Sequence, residues 1–243
     1  MPTYVASGAS DVGLRRSNNE DAFLVRAEIG LFAVADGMGG AAAGEVASAI
    51  FIEAAGELFG PSTPATTEQA SALVQEAFGL ANARMISHVA AHQEHRGMGC
   101  TAELLVLSGD RYLVGHVGDS RTYLLREGEL RQITKDHSLV QQMVDGGQIT
   151  AAEARHHIRK NVVLRALGAD LELSLDLVRG SLFPGDLFLL CSDGLTDMLD
   201  DDSIKKALVF PVSLSEKVGL LIDGAKAAGG KDNVTVVLCQ VER

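Results

Sequence analysis

Apolar positions along this chain recur with two different periods, and the points where the period changes set the predicted architecture. Residues Thr3–Ser7, Ala22–Ala27 and Leu31–Ala35 are strand-length runs separated by polar or turn-forming segments. After Gly39-Gly40 the chain turns Ala-rich, which predicts a helix over Ala41–Phe59, stopped by Gly60-Pro61-Ser62-Thr63-Pro64. A second helix begins near Thr67-Glu68. In it Leu73, Val74, Ala77, Phe78, Ala81, Met85 and Val89 recur at three- and four-residue steps and give one apolar face.

From Cys100 the strand period returns. Ala102–Leu107, Tyr112–Val117, Thr122–Arg126 and Leu130–Ile133 read as a meander, turned at Ser108-Gly109-Asp110 and Glu127-Gly128-Glu129. Residues 136–168 are polar, with short helices at Ser138–Val144 and Thr150–Arg155 and too little apolar content for a core. They are expected to form a surface excursion that gates substrate. Strands follow at Glu172–Val178, Asp186–Cys191 and Val234–Val241, with helices at Asp201–Val209 and Ser213–Ala228 between the last two. Runs of antiparallel strands interrupted by helix pairs predict an α+β fold. The expected form is a four-layer α-β-β-α sandwich, two mainly antiparallel sheets flanked by helix pairs. Residues 1–243 are expected to make one domain, with 136–168 as a subdomain inside it.

Charge narrows the class of partner. The chain has 32 acidic against 21 basic residues, a net charge of −11, which argues against nucleic acid or an anionic membrane, since both reward clustered Lys and Arg. A phosphate site in such a chain must be made positive locally, by metal ions or a placed arginine. No apolar run has the length of a membrane span, and Met1-Pro2-Thr3-Tyr4 lacks the pattern of a signal peptide. Cys100, Cys191 and Cys239 lie in apolar strand-like contexts and read as buried free thiols, so a reducing cytoplasm is the expected setting. His88, His92 and His95 have helical spacing, but no Cys or carboxylate completes a zinc set, and they read as a solvated helix end. His156-His157 reads as exposed in the same way.

Five short acidic motifs carry the chemistry. Asp36-Gly37 follows the run Leu31–Ala35, which puts Asp36 at a strand's C-terminal edge, where the glycine lets a backbone carbonyl approach an ion. Ser192-Asp193-Gly194 repeats the design after Leu187–Cys191, and Asp232-Asn233 precedes Val234–Leu238 at what is expected to be the same sheet edge. Carboxylates converging there suit two hard divalent ions, magnesium or manganese, sharing a water. Arg16 offers a planar donor fork for phosphate oxygens; the competing reading pairs it with Glu20, four residues on. Asp197 follows Asp193 by four residues and reads equally as a ligand or as a first-turn acid of a helix.

In this order, Arg16-Ser17-Asn18-Asn19-Glu20-Asp21, Asp36-Gly37-Met38-Gly39-Gly40, Gly118-Asp119-Ser120-Arg121, Ser192-Asp193-Gly194 and Asp232-Asn233 resemble the metal-dependent protein phosphatases, the PPM or type 2C family, in its compact bacterial form. The resemblance runs from Tyr4 to Val241. It implies hydrolysis of phosphoserine and phosphothreonine by a water bridging two metal ions, with in-line attack and no phosphoenzyme. It also implies a monomer with Mn²⁺ or Mg²⁺ as cofactor, two core ions and an optional third. The implied partners are phosphoproteins and a cognate bacterial Ser/Thr kinase. By the same resemblance Asp36 bridges the core ions and Gly37 contributes its carbonyl. Asp193 and Asp232 complete the first ion and Glu20 holds the second. Asp21 orients metal-bound water, Asp119 shares a third ion with Asp193, Asp197 is a further candidate there, and Arg16 contacts phosphate. Residues 136–168 are similar to the family's mobile flap.

Two departures stand out. Eukaryotic members carry histidine directly after Asp-Gly as a proposed general acid; here Met38 occupies that position and cannot donate a proton. His137 is the candidate replacement, read as non-essential. Cys100 stands where relatives have threonine and reads as a packing change at a strand start. A phosphoprotein-binding pseudoenzyme is expected to lack ligands, and Glu20, Asp36, Asp193 and Asp232 are all present.

Overall fold

Side-chain alternation along the strands builds the apolar layers that hold this protein together. The structure is a computed structural model describing residues 3–39, 43–60, 64, 66–171 and 173–242. In chain order the elements are β1 Tyr4–Asp11, β2 Asp21–Arg26, β3 Leu31–Met38, α1 Gly44–Leu58, α2 Thr67–Ala91, β4 Gly99–Cys100, β5 Ala102–Ser108, β6 Arg111–Val117, β7 Arg121–Arg126 and β8 Glu129–Gln132. There follow α3 Leu139–Asp145, α4 Ala151–Ala154, β9 Asp176–Ser181, β10 Leu187–Cys191, α5 Asp193–Thr196, α6 Asp201–Val209, α7 Leu214–Ala227 and β11 Val234–Val241.

The strands form two sheets, one ordered β1-β11-β10-β7-β8 and the other β2-β3-β5-β6-β9 with β4 added to β3. Their pairings are antiparallel. Phe32, Val34, Leu105, Tyr112, Leu124, Phe188 and Val237 fill the layer between the sheets. On the outer face of the β2–β9 sheet, Leu31, Ala33 and Leu104 pack against Phe51, Val74 and Phe78 of α1 and α2. Opposite, Tyr123, Leu189 and Val236 pack against Ile204, Val218 and Leu221 of α6 and α7. Each fully buried large side chain in these layers contributes about 1.5–3 kcal/mol. The four-layer α-β-β-α arrangement is the expected one.

Local signals set the helix starts. Thr66 accepts from the Gln69 amide at the head of α2, and Ser213 forms a reciprocal capping box with Glu216 at the head of α7. The expected helix start at Ala41, with Gly40 and Ala42 beside it, lies outside the described residues, as do Pro61, Ser62 and Thr63 of the expected stop signal.

Three differences from expectation bear on the site. The meander is two hairpins, β5–β6 in one sheet and β7–β8 in the other. Gly118-Asp119-Ser120 carries the chain across. Alternation is the same in both sheets, so periodicity alone does not reveal the crossing. Gly118 turns with φ +110°, and a Cβ there would lie 2.6 Å from the Thr101 side chain. Second, β9 begins at Asp176, where pairing to His116 starts, rather than at Glu172, which lies outside the described residues. Third, β3 runs through Asp36 to Met38, because β4 continues its ladder, pairing Gly37 with Cys100 and Met38 with Gly99. Asp36 is therefore inside a strand rather than at its edge.

At the start of β10 the two sheets are tied by a charged group. Asp186, 1% exposed, takes two hydrogen bonds from Arg126 at 2.7 and 2.6 Å and one from the Phe183 amide at 2.9 Å. Arg126, from β7, also donates to the Ser181 carbonyl of β9 at 2.7 Å. Replacing Asp186 with alanine strips the guanidinium of its counter-ion, and the unfolding free energy is expected to fall by about 2–3 kcal/mol, read by urea denaturation against the wild type.

Candidate metal centre

The site grows out of the inter-sheet layer. Phe23 and Val25 of β2 face that layer, and so does Asp21 at the same parity. Phe32 and Val34 of β3 are followed in the same way by Asp36. Ser192 continues the parity of Phe188 and Leu190, and Thr235 that of Val237. Asp21 and Asp36 stand directly opposite each other in the ladder. At this end of the sandwich the layer changes from apolar to polar. Asp193, the first residue of α5, Asp232, just before β11, and Asp119, on the crossover, add their carboxylates from outside the strands. The sequence placed Asp193 and Asp232 at one sheet edge, and both do flank the β10–β11 pair; Asp36 reaches them from the other sheet.

Neutral groups hold the acids in place. Asp21 Oδ2 accepts from Ser192 Oγ at 2.7 Å and Thr235 Oγ1 at 2.6 Å. Ser10 sits 2.7 Å from the Thr235 hydroxyl and accepts from Asn19 at 2.7 Å. Asn233 is a staple: its side chain accepts from the Glu20 amide at 2.8 Å and donates to the Val12 and Asn18 carbonyls at 3.0 and 2.9 Å. Thr101 accepts from the Asp36 amide at 3.1 Å, and its own amide donates to the Asp36 carbonyl at 2.9 Å. These supporting residues were not singled out from the sequence for this role, although strand parity points to Ser192 and Thr235.

The glycines of the acidic motifs permit close backbone approach. A Cβ at Gly37 would stand 2.1 Å from the Gly44 carbonyl oxygen, and one at Gly194 would stand 1.9 Å from that of Asn233. A Cβ at Gly44 would meet Glu20 Oε2 at 2.5 Å. Glu20 is thus seated against the start of α1.

Crowding perturbs the carboxyls strongly. Burial, followed by the charges of Asp21, Asp193, Asp119 and Asp232, drives Asp36 well above the ordinary carboxylate range. Asp193 is raised well above it by burial and by Asp119, Asp197, Asp232 and Asp21. Burial likewise lifts Asp21 and Asp119 to about 6. Glu20 is raised by burial, against the lowering influence of Arg16.

Cations touch only the margin. Arg16 donates to Asp232 Oδ2 at 2.8 Å, so its partner is Asp232 and not Glu20. Lys160 of the 136–168 segment pairs with Asp197. Asp197 caps the C-terminal end of α5, so the reading as a first-turn acid does not hold. Between that segment and α5 lies a cavity of about 670 Å³, with Asp119, Asp193, Asp197, Arg155 and Lys160 in its wall.

His137 is engaged away from this cavity. Its Nδ1 accepts from the Gly118 amide at 3.1 Å, and its Nε2 lies 3.3 Å from Asp176 Oδ2. Burial and the neighbouring His116 push its pKa down to about 4. Met38 pairs with Gly99 and brings no proton donor. The remote His88, His92 and His95 are stacked at the solvent-facing end of α2, with His88 Nε2 2.9 Å from His95 Nδ1. Cys100, Cys191 and Cys239 are buried and free, as expected.

Among the described residues no three carboxylate, imidazole or thiolate groups are gathered into a finished ion cage. The acids share a field more than a common centre. Their chemistry nonetheless fits a hard divalent cation, because the donors are all oxygen. Asp21 Oδ1 and Glu45 Oε2 are buried without a hydrogen-bond partner, the condition an ion or a water resolves. Glu45, at the first turn of α1, was not anticipated from the sequence.

Known proteins share this fold. The family model for protein phosphatase 2C matches residues 14–221. The serine/threonine protein phosphatase PstP of Mycobacterium tuberculosis is 43% identical over 233 residues, 96% of this chain but 44% of that protein, so the chain spans less than half of this relative. The serine/threonine phosphatase stp of Listeria monocytogenes is 35% identical, over 95% of this chain and 93% of its own length. Among solved structures, the catalytic domain of PstP in complex with two manganese ions superposes with a TM-score of 0.91 at 40% identity, covering 100% of both chains. The S. agalactiae serine/threonine phosphatase gives 0.91 at 33%, covering 98% of this chain and 100% of that one. A two-sheet sandwich with its acids gathered at one end, matched along most of its length by these sequences and structures, belongs to the protein phosphatase 2C family.

Proposed function

We propose that this chain is the catalytic part of a metal-dependent protein serine/threonine phosphatase, hydrolysing phosphoserine and phosphothreonine and opposing a bacterial Ser/Thr kinase. The observation that carries it is the crowding of Asp21, Asp36, Asp119, Asp193 and Asp232 at one end of the inter-sheet layer, with Asp21 Oδ1 buried and unpartnered. The manganese-containing relative supports Mn²⁺ or Mg²⁺ as the cations that such a cluster takes. When bound, such a pair acidifies a water nucleophile and offsets phosphoryl charge.

The chain's own residues are assigned accordingly. Asp36 would be shared by the two ions, with the Gly37 carbonyl, Asp193 and Asp232 holding one and Glu20 the other. Asp119 serves an optional third ion with Asp193, and Asp197 stands beside it. Asp21 is anchored through Oδ2 by two hydroxyls, which leaves Oδ1 to orient water. The Arg16 side chain is 52% exposed on a single carboxylate contact and turns its donor fork to phosphate. His137 has no part in this assignment, and leaving-group protonation falls to water in the cleft. Residues 1–243 act as one monomeric catalytic domain, with 136–168 as a flap over the cavity. A cytoplasmic setting is supported by the three buried free thiols.

Asp36→Asn is expected to cut turnover of p-nitrophenyl phosphate with Mn²⁺ by about 100-fold or more, since even groups behind a ligand matter roughly 10–100-fold. A near wild-type rate overturns the assignment. In chelator the same variant is expected to melt above the wild type. A raised pKa marks a charge the fold disfavours, and the substitution removes it.

The pH dependence has a defined sign. Asp21 and Asp119, raised from 3.8 to about 6, keep protons in the folded state that the unfolded chain has lost, so metal-free stability falls as pH rises through that interval. Ion binding displaces those protons. The Mn²⁺-induced rise in Tm is therefore expected to grow between about pH 5 and about pH 7.5, and thermal melts showing a flat dependence would contradict the metal assignment.

A further inference from the structure

We propose that Glu103 and His116 are positioning residues for the acidic cluster, holding the Gly118–Ser120 crossover and the root of the 136–168 segment so that Asp119 stands at its place in the site. The proposal rests on the functional reading of that cluster. Its basis is a buried acid–imidazole pair in the wrong-looking place. Glu103 and His116 lie opposite each other on β5 and β6, on the faces that carry Leu105 and Val114 into the inter-sheet layer, and both side chains are 0% exposed. Burying such a polar pair is costly whichever partner holds the proton, and well-packed apolar residues would serve stability at least as well.

The contacts of the pair run to one place. Glu103 Oε1 faces His116 Nδ1, and Oε2 accepts from Thr122 Oγ1 at 2.5 Å, which joins β5 and β6 to β7 across the layer. His116 Nε2 lies 2.9 Å from the Lys135 carbonyl oxygen. A carbonyl only accepts, so Nε2 carries a proton and the ring's orientation is defined. The His116 ring lies 4.5 Å from that of His137. His137 in turn takes both polar groups of Gly118: its Nδ1 accepts from the Gly118 amide, and its own amide donates to the Gly118 carbonyl at 2.7 Å. Its carbonyl accepts from the Leu164 amide at 2.7 Å, so the outgoing and returning ends of the segment meet here. Beyond Asp119, Ser120 Oγ lies 2.7 Å from Thr101 Oγ1, the group that accepts from the Asp36 amide. Glu103 and His116 therefore brace the turn bearing Asp119, and that turn touches the strand bearing Asp36.

The test is Glu103→Leu combined with His116→Leu, which exchanges the pair for apolar bulk. Hydrogen exchange at the amides of Gly118, His137 and Leu164 is expected to quicken at least tenfold, with no change at Val236 in β11. On a phosphopeptide with Mn²⁺, kcat is expected to drop about tenfold while KM moves less than threefold. Glu103→Gln keeps one acceptor for Thr122 and one group for His116, and is expected to restore slow exchange at all three amides. Unchanged exchange in a folded double variant overturns the proposal, and so does a loss of protection spread evenly over β11. If the double variant does not fold, Thr122→Val removes one donor to Glu103 at similar volume. The same local quickening is then expected, and its absence overturns the proposal. A wild-type protein without phosphatase activity would sink the functional reading, while the exchange comparison would still decide the positioning role.

Discussion

Repulsion among carboxylates crowded at one end of an otherwise apolar layer is the constraint on which the rest of this structure turns. Phe32, Val34, Phe188 and Val237 make the layer, and Asp21 and Asp36 end it. A charge in such surroundings is poorly solvated, and four neighbouring charges compound the effect on Asp36. Hydroxyls and one amide side chain, from Ser192, Thr235, Ser10, Thr101 and Asn233, supply directional hydrogen bonds without counter-charge. They fix where the acids stand and leave the excess of negative charge for cations to offset.

Backbone proximity is the second half of that constraint. Gly37, Gly44 and Glu20 pack so closely that a side chain on either glycine would displace the third member. Gly194 meets the Asn233 carbonyl in the same way, and Asn233 ties the Asn18–Glu20 stretch to the start of β11. The glycines beside Asp36 and Asp193 thus bring separate chain segments together, whatever else their carbonyls do.

The 136–168 segment is held with unequal strength along its length. Its root is buried and charged: Arg121 grips Asp136 through hydrogen bonds of 2.7–3.1 Å, and Leu164 and Leu167 pair with His137 and Cys100. Its middle is fastened by Lys160 to the exposed Asp197, and by Arg155 to the Thr196 and Leu199 carbonyls at 3.1 Å. Partly exposed pairs of this kind contribute little. The contacts of the middle with α5 are therefore weaker than those that hold the root.

Strand alternation, helix periodicity and the Gly/Pro stop after α1 were enough to read the layered α+β form and the helix pairs, because these depend on local pattern and on which face must be buried. The acidic motifs were readable too, since a carboxylate beside glycine after an apolar strand carries its own chemical logic. What alternation does not carry is which sheet a hairpin joins, and so β5–β6 and β7–β8 looked like one meander until Gly118 was seen to cross between the sheets. Partner choice is equally invisible along the chain. Arg16 sits four residues from Glu20 yet pairs with Asp232, and His137, a candidate donor read from the sequence as non-essential, is taken up by Gly118 and Asp176. The sequence by itself determined which residues are apolar, acidic or conformationally permissive. Which of them meet is settled in three dimensions, because those contacts join residues as distant as Ser10 and Thr235, 225 positions apart, and depend on how two sheets stack.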